Sequence, residues 1–472
     1  MAFSTFGQKP CDNLIFRRIY FVVQYIVFLF SSDNRVKKGF SMMQENSMEI
    51  EPQHEVPVSR TVDVLVAGGG PAGIAAGVAA AREGANTLVV ERFGYLGGMM
   101  TGAHVVWVLG MGDGYRPLIR GIARDIRKRL EPLDAIVKPN RCGDYAVDPE
   151  VFKWQAVEMI EELGSEVLCH TMVCDPIMDG SCVRGVYTES KSGRQAIRAK
   201  VVVDCTADAD VAFRGGCGFD NQTHDITLCL KFDGIDRKKA DAFEKDDPHR
   251  FAQITAEACN LNGGVMPTHS RYMKDIDATD VDALSRCEKQ LRNDCFQSLN
   301  YLRANMPGWE KAAIKETLPQ LGVRQSRRIH GLYTLSDDDL RSSRHFEDSI
   351  GRIGSYLAGY KMNDPAGLDY DIPLRCLVPK DIDGLLVAGR CVSADYLACN
   401  TLRLIAPCFV TGQAAGVTAA IAAKQNIQPR SVPAAEVRKS LLAQNVYLAA
   451  PGQELTTGDD TPEAPLQNTD GQ

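Results

Sequence analysis

Apolar residues in this chain fall into short runs punctuated by glycine. Residues 62–67 form a nearly continuous apolar run and read as a buried strand. Residues 71–83 are rich in alanine, begin at Pro71 and stop at Gly84, which predicts a helix. Residues 87–91 give a second buried strand. Further on, Asp148 caps a helix that starts at Pro149, shows an apolar face of Phe152, Ala156, Met159, Ile160 and Leu163, and ends at Gly164. Residues 166–173 predict a third parallel strand. Segments 183–187 and 195–198 alternate about a turn at Lys191, Ser192 and Gly193, as an antiparallel meander does. Residues 201–208 read as a buried strand ending in a polar turn.

The pattern changes over 216–375. Charged helices are predicted at 237–251 and 281–305, and residues 323–335 alternate as a strand would. Buried patterning then returns, with a short strand at 384–390 and an alanine-rich helix from Gly412 to Ala423. The expected architecture is α/β: a discontinuous dinucleotide-type domain (61–215 and 376–430) with a parallel sheet and a β-meander, and an inserted α+β substrate or cap domain (216–375). Residues 1–60 are an N-terminal extension. Residues 451–472, rich in Gly, Thr, Asp, Pro and Gln, are expected to be disordered.

The first strand leads into Gly68, Gly69, Gly70, Pro71, Ala72 and Gly73, and the second ends at Glu91. Gly68 permits a sharp turn, Gly70 lets a pyrophosphate approach the backbone, and Gly73 lets the helix pack closely on the strand. The helix start offers N–H groups and a positive dipole end to phosphates. Glu91 can accept hydrogen bonds from ribose hydroxyls and would repel a 2′-phosphate, which disfavours NADP. This is a dinucleotide-binding fingerprint with its strand, helix and acid all present. A glycine pair, Gly97 and Gly98, follows the second strand and allows close approach to a flat ligand.

Composition adds limits. A net charge of −7 lends no support to nucleic-acid binding. The 15 cysteines include no CxxC pair, so no iron–sulfur or structural zinc site is expected, and reduced thiols in a cytoplasmic protein are. Arg17 and Arg18 precede an apolar stretch at 19–30, which is short for a membrane span and suits a signal-peptide core. No small-residue cleavage site follows it, and residues 37–39 would be encoded by a purine-rich stretch. The expectation is a true start at Met42, Met43 or Met48, with a genuine signal or anchor as the rival.

The chain resembles FAD-dependent oxidoreductases of the glutathione-reductase-type fold, with a Rossmann-like FAD domain. More narrowly it resembles the bacterial family related to the flavoprotein subunit of heterodisulfide reductase. The likeness rests on the fingerprint, residues 201–210, 322–329 and 377–416. It implies that Gly68, Gly70, Pro71, Ala72 and Gly73 hold the FAD pyrophosphate and that Glu91, followed by Arg92, holds the adenosine ribose. Gly97 and Gly98 would line the flavin side, and Val173 would meet the adenine. Thr206 and Asp208 fall in a stretch that is Thr-Gly-Asp in relatives, with Ala207 replacing the glycine here. Gly389 and Arg390 would reach the ribityl-phosphate region. A helix starting near Gly412, with Gln413 and Gly416, would aim its positive end at the flavin pyrimidine edge.

Candidates for chemistry are Arg324, Arg327, Arg328, Arg403 and His104. On a strand, Arg324, Arg328 and His330 would share one face and could clamp an anion, unless the face is merely solvated or ion-paired. Arg403 would add positive charge near the flavin edge. His104 is a candidate proton donor, with a structural histidine as the alternative. The expected function is hydride or electron transfer between FAD and a small polar or anionic metabolite. The alternative is an electron-transfer component acting with a protein partner.

Overall fold

The computed structural model describes residues 49 and 51–448, apart from 114–116, 138–142, 261–269, 356, 359–360 and 363–367. The expectations for residues 1–48 and for the 451–472 tail lie outside the described residues. The chain divides into Met1–Glu55 and Val56–Gln472, and the fold below is that of the second unit.

Strand β1 (Val58–Ala67) leads through the glycine turn into helix α1 (Pro71–Arg82), and β2 (Thr87–Val90) returns parallel to β1. The expected cap is present on α2 (Pro149–Glu161): the Asp148 carboxylate accepts from the N–H of Glu150 at 2.8 Å and of Val151 at 3.1 Å. Four of the five expected apolar residues are buried. Leu163 lies past the helix end and is exposed. Asp148→Ala is expected to cost about 1 kcal/mol by removing this cap, read as a lower midpoint in urea unfolding.

The expected third strand splits. Its first part, β3 (Glu166–Leu168), pairs parallel with β2, whereas β4 (Met172–Asp179) turns away and pairs antiparallel with β5 (Cys182–Ser190). His170, with φ +54°, makes the break. The meander and the following buried strand are continuous. Strand β6 (Gly193–Asp204) pairs antiparallel with β5 through Arg198 and parallel with β1 as far as Asp204. The main sheet therefore runs β3-β2-β1-β6-β5-β4.

A second antiparallel sheet is built on β7 (His224–Asp233). It pairs with β8 (Ser270–Ile276), β9 (Ala313–Thr317) and the two-residue β10 (Gly322–Val323). Its apolar face of Ile226, Leu228 and Leu230 packs on Cys287, Leu291 and Cys295 of the helix Val281–Asn305. The predicted helix at 237–251 is two helices, Arg237–Asp246 and Pro248–Asn260, because a proline cannot continue the first. Leu335, Ile350, Tyr370 and Leu374 pack in the same core as α1, so the chain rejoins the first core well before residue 376.

Strand β11 (Leu385–Val387) completes the seven-stranded sheet beside β6. Helix α3 (Tyr396–Leu402) and helix α4 (Ile405–Gln425) follow. Helix α4 begins at Ile405, seven residues before the expected start at Gly412, with Pro407 inside its first turn, where proline is tolerated. Gly412, Gln413 and Gly416 therefore stand in the helix interior and not at a dipole end. An added Cβ on Gly412 would lie 2.1 Å from Ala72 O, and one on Gly416 2.2 Å from Ala76 O, so both serve the crossing of α4 on α1. The Gln413 side chain accepts from the N–H of Ile122 at 3.0 Å. Helix α4 is long and apolar enough to cross a membrane by composition, and it is buried inside the protein from Ile405 to Ala423.

Candidate functional site

The glycine turn lies at the carboxyl ends of β1 and β6, where ligands of α/β sheets bind. Gly68 takes φ +105°, and a Cβ there would lie 2.4 Å from Cys205 O at the end of the neighbouring strand. A Cβ on Gly73 would lie 1.8 Å from Gly68 O, so α1 starts in backbone contact with the turn. Gly70 differs: a Cβ there would meet only Gly98 Cα, at 3.9 Å. Helix α1 begins beside this open space with Gly70 as its N-cap, Pro71 at its first position and no capping side chain. Uncapped N–H groups and the positive helix end face the space that a side chain would otherwise fill, which fits a diphosphate.

The second glycine pair meets the first. Gly97 donates its N–H to Gly69 O at 2.8 Å, and Gly97 and Gly98 take φ +105° and +50°. Glu91 is 7 % exposed and accepts from the N–H of Gly69 at 2.7 Å and of Phe93 at 2.9 Å. A carboxylate offers about four lone-pair sites, so this one can also accept from ribose hydroxyls. Arg92 is exposed and lies over the Phe93 ring. Val173 is paired to Thr188 in β4, two residues beyond Thr171, whose N–H donates to Glu91 O at 3.0 Å.

The loop after β6 is fixed from within. The buried Asp204 carboxylate accepts from the N–H and hydroxyl of Thr206, at 3.0 and 2.7 Å, and from the N–H of Ala212 at 3.0 Å. The Thr206 hydroxyl accepts in turn from the N–H of Asp210 at 2.9 Å. Ala207 adopts φ +72°, in the left-handed region that favours glycine, despite its Cβ. Asp208 is ion-paired with Arg390 and accepts from the Ser326 hydroxyl at 2.6 Å. Arg390 also donates to Ala207 O at 2.8 Å and to Val323 O. Gly389, with φ +87°, packs against Ala72. Arg390 thus ties the end of β11 to this loop and to the second sheet.

Burial raises the Asp204 carboxyl to about 6. The folded carboxyl holds its proton more tightly than the unfolded one, whose ordinary pKa is about 3.9. Its stabilising contribution is complete below the ordinary Asp range and is lost as pH rises through about 6. Unfolding stability of the wild type should show that decline, and Asp204→Asn should lack it in denaturant titrations at a series of pH values.

The predicted arginine face does not form. Only Gly322–Val323 and Arg328–Ile329 are strands in that stretch. Arg328, 3 % exposed, donates to Ala394 O at 3.1 Å and Gln325 Oε1 at 3.2 Å, so its head is spent inside the protein. Arg327 donates to Asp208 O and pairs with Asp210, both at 3.1 Å, and lies 4.0 Å over the Phe213 ring. His330 is exposed and lies 3.4 Å from Asp220. Ser326 and Arg327 are drawn to the 208–210 loop, and that breaks the alternation.

Arg324 and Arg403 both bear electrostatically on a residue that the sequence pattern does not mark. His224 opens β7 at 2 % exposure and lies 5.9 Å, ring to ring, from Tyr396. Its Nδ1 accepts from the Asp225 N–H at 2.7 Å, and its side chain hydrogen-bonds to Asn400. Burial, then the Arg403 and Arg324 guanidiniums, push its imidazole down to about 4. Asn400 Oδ1 accepts from Gln325 Nε2 at 2.9 Å and from Arg403 Nε and Nη2, each at 3.4 Å.

His104 follows the short helix Met99–Gly102 that Gly98 starts. It sits at φ +55°, and its Nε2 is buried with no hydrogen-bond partner. Burial, then Lys231, lowers its pKa. A separate open groove of about 550 Å³, lined by Thr61, Asp63, Asn86, Arg184 and Lys200, lies at the starts of β1 and β2. Those are the opposite strand ends, so the groove is not the cofactor site.

A seven-stranded α/β sheet with two abutting glycine turns, an uncapped helix start and an acidic strand end defines a dinucleotide-binding protein. A family model described as FAD dependent oxidoreductase matches residues 63–441. The chain belongs to that family, it is an enzyme, and its cofactor is FAD. A digeranylgeranylglycerophospholipid reductase from Methanoculleus marisnigri is 30% identical over 183 residues, which are 36% of this chain and 45% of the relative. A thiamine thiazole synthase from Aeropyrum pernix is 34% identical over 166 residues, 32% of this chain and 57% of that protein. The chain spans about half the length of the curated relatives it matches. A geranylgeranyl bacteriochlorophyll reductase-like protein from Thermoplasma acidophilum is similar in structure at a TM-score of 0.41 and 14% identity, over 82% of this chain and 84% of that one. A flavin-dependent brominase gives 0.39 and 14%, over 82% and 84%.

Proposed function

We propose that this enzyme transfers hydride or electrons between FAD and a small polar or anionic metabolite. The observation that carries the reading is the chemistry of the seam between the second sheet and α3. Half-buried Arg403 hydrogen-bonds there to buried Asn400, and both it and half-buried Arg324 bear on buried His224. Such a wall suits an oxygen-rich substrate better than a hydrocarbon chain.

FAD, when bound, supplies the hydride or electron acceptor. The residues of the chain supply the rest. The glycine turn and the start of α1 hold the diphosphate, and Glu91 holds the ribose. Arg403 stands immediately before the Leu404 N-cap of α4 and adds a fixed positive charge to that helix end. His104, whose imidazole burial pushes toward its neutral form and whose Nε2 is buried without a hydrogen-bond partner, is assigned proton exchange with the substrate in this reading.

Anaerobic mixing with a panel of metabolites, followed through the visible flavin band, tests this reading. At least one hydroxy, amino or unsaturated carboxylic acid should reduce the bound flavin or reoxidise its reduced form. Exchange with an isoprenoid lipid alone would overturn it in favour of the chemistry named for the reductase relatives. Exchange with a protein donor alone would favour the alternative, a flavoprotein component of a heterodisulfide-reductase-like system.

A further inference from the structure

The segment that abuts the diphosphate turn is itself held by the second sheet. Residues 95–102 touch that turn through the glycine pair: Gly97 donates its N–H to Gly69 O at 2.8 Å, and a Cβ on Gly98 would lie 3.0 Å from Gly70 Cα. The rest of the segment is bonded to that pair. The Gly102 N–H donates to Gly98 O at 2.8 Å, closing the short helix Met99–Gly102, and the Thr101 hydroxyl donates to Leu96 O at 2.7 Å. A displacement at either end of the segment therefore reaches Gly97 and Gly98.

Both ends are grasped by one residue, Gln320, which lies in the connection between β9 and β10 and is 8 % exposed. Its backbone N–H donates to Gly102 O at 3.0 Å, and its side-chain amide donates to Tyr95 Oη at 3.1 Å. The connection is fixed to β7 in turn: Leu318 donates its N–H to Cys229 O at 3.1 Å, and Gly322 pairs with Thr227. Tyr95 is held from its other sides by the Phe93 ring, stacked at 5.6 Å between centroids, and by the Lys153 ammonium, 4.8 Å from the ring centre. Gly102 is fitted to this clasp. Its backbone is helical, so no left-handed φ demands a glycine there. A Cβ would instead lie 2.4 Å from both Cδ and Nε2 of Gln320, so the missing side chain makes room for the amide.

We propose that Gln320 is a positioning residue of the FAD site: from the second sheet it clasps residues 95–102 and holds the Gly97–Gly98 turn at its spacing from the diphosphate turn. The second sheet thereby completes a cofactor site whose binding backbone belongs to the first. This rests on FAD as the cofactor and not on which substrate is turned over. Without the clasp a smaller fraction of chains holds the turn in place, and the apparent dissociation constant for FAD rises by that factor. One buried hydrogen bond sets the scale at about fivefold.

FAD release from the full-chain holoenzyme, followed by the return of flavin fluorescence on dilution, measures the affinity, and thermal unfolding is recorded on the same samples. Gln320→Met fills the same space without the amide and should weaken FAD binding about fivefold. Tyr95→Phe should weaken it to the same extent, and the double variant no further, because both changes remove one bond. Gly102→Ala should lower the affinity and the thermal midpoint together. Adding Gln320→Ala to it makes room for the methyl, so the midpoint should recover while the affinity stays low. An affinity that recovers with the midpoint would mean that Gln320 only fills space, and would overturn the proposal. So would a Gln320→Met variant with wild-type affinity for FAD, whatever its midpoint. If Gly102→Ala does not fold, Gln320→Met and Tyr95→Phe still decide the matter.

Discussion

Gly73→Ala is expected to abolish FAD binding and to cost about 3 kcal/mol of stability, at the upper end for overpacking a tight site. The added methyl would lie 1.8 Å from Gly68 O, inside the turn that the diphosphate needs. Helix α1 cannot retreat to make room, because α4 lies across it in backbone contact at Ala72 and Ala76. Nor can the turn retreat, since Gly68 already abuts Cys205 O and Gly69 is bonded to both Glu91 and Gly97. Flavin stoichiometry and a urea midpoint check both halves of the expectation. An alanine variant that keeps its flavin would show that the start of α1 is looser than this geometry.

Gly412→Ala should also be strongly destabilising, by about 3 kcal/mol, through its 2.1 Å approach to Ala72 O. The sign separates two readings of this residue. In an exposed helix, alanine is better than glycine by about 1 kcal/mol, so a glycine needed only to start a helix would tolerate the change. At the crossing of α1 and α4 the steric cost outweighs that gain. Thermal unfolding of the purified variant decides: a lower midpoint supports the crossing, and an unchanged or higher one removes it. Because Ala72 also opens α1, flavin binding should weaken with stability.

The dinucleotide half of the fold was legible because its signals are local. Glycine spacing, an alanine-rich helix and a strand ending in Glu91 lie within a few dozen residues and specify one another. The cap at Asp148 was legible for the same reason. The start of α4 was misplaced because Leu404, Ile405 and Ala406 look like any apolar run. Pro407, allowed in a first turn, was the available signal.

Long-range partners account for the remaining differences. Alternation at 323–335 implied a strand face bearing Arg324, Arg328 and His330. Asp208, Asp210 and Ala394 instead take Ser326, Arg327 and Arg328 out of that pattern. His224 carried no local mark at all. Its partners, Asn400 and Arg403, sit on the far side of the inserted sheet in sequence, and only the fold brings them to it. Ala207 runs the other way: an alanine does not favour a left-handed backbone, yet φ is +72° because Asp204, Thr206 and Asp208 fix both sides of it.

The measurement that bears most directly on the central claim is the absorbance spectrum of the purified full chain, before and after acid precipitation. The account predicts visible flavin bands, with one equivalent of FAD released to the supernatant and none in Gly73→Ala. A colourless protein that takes up no FAD on reconstitution would contradict it.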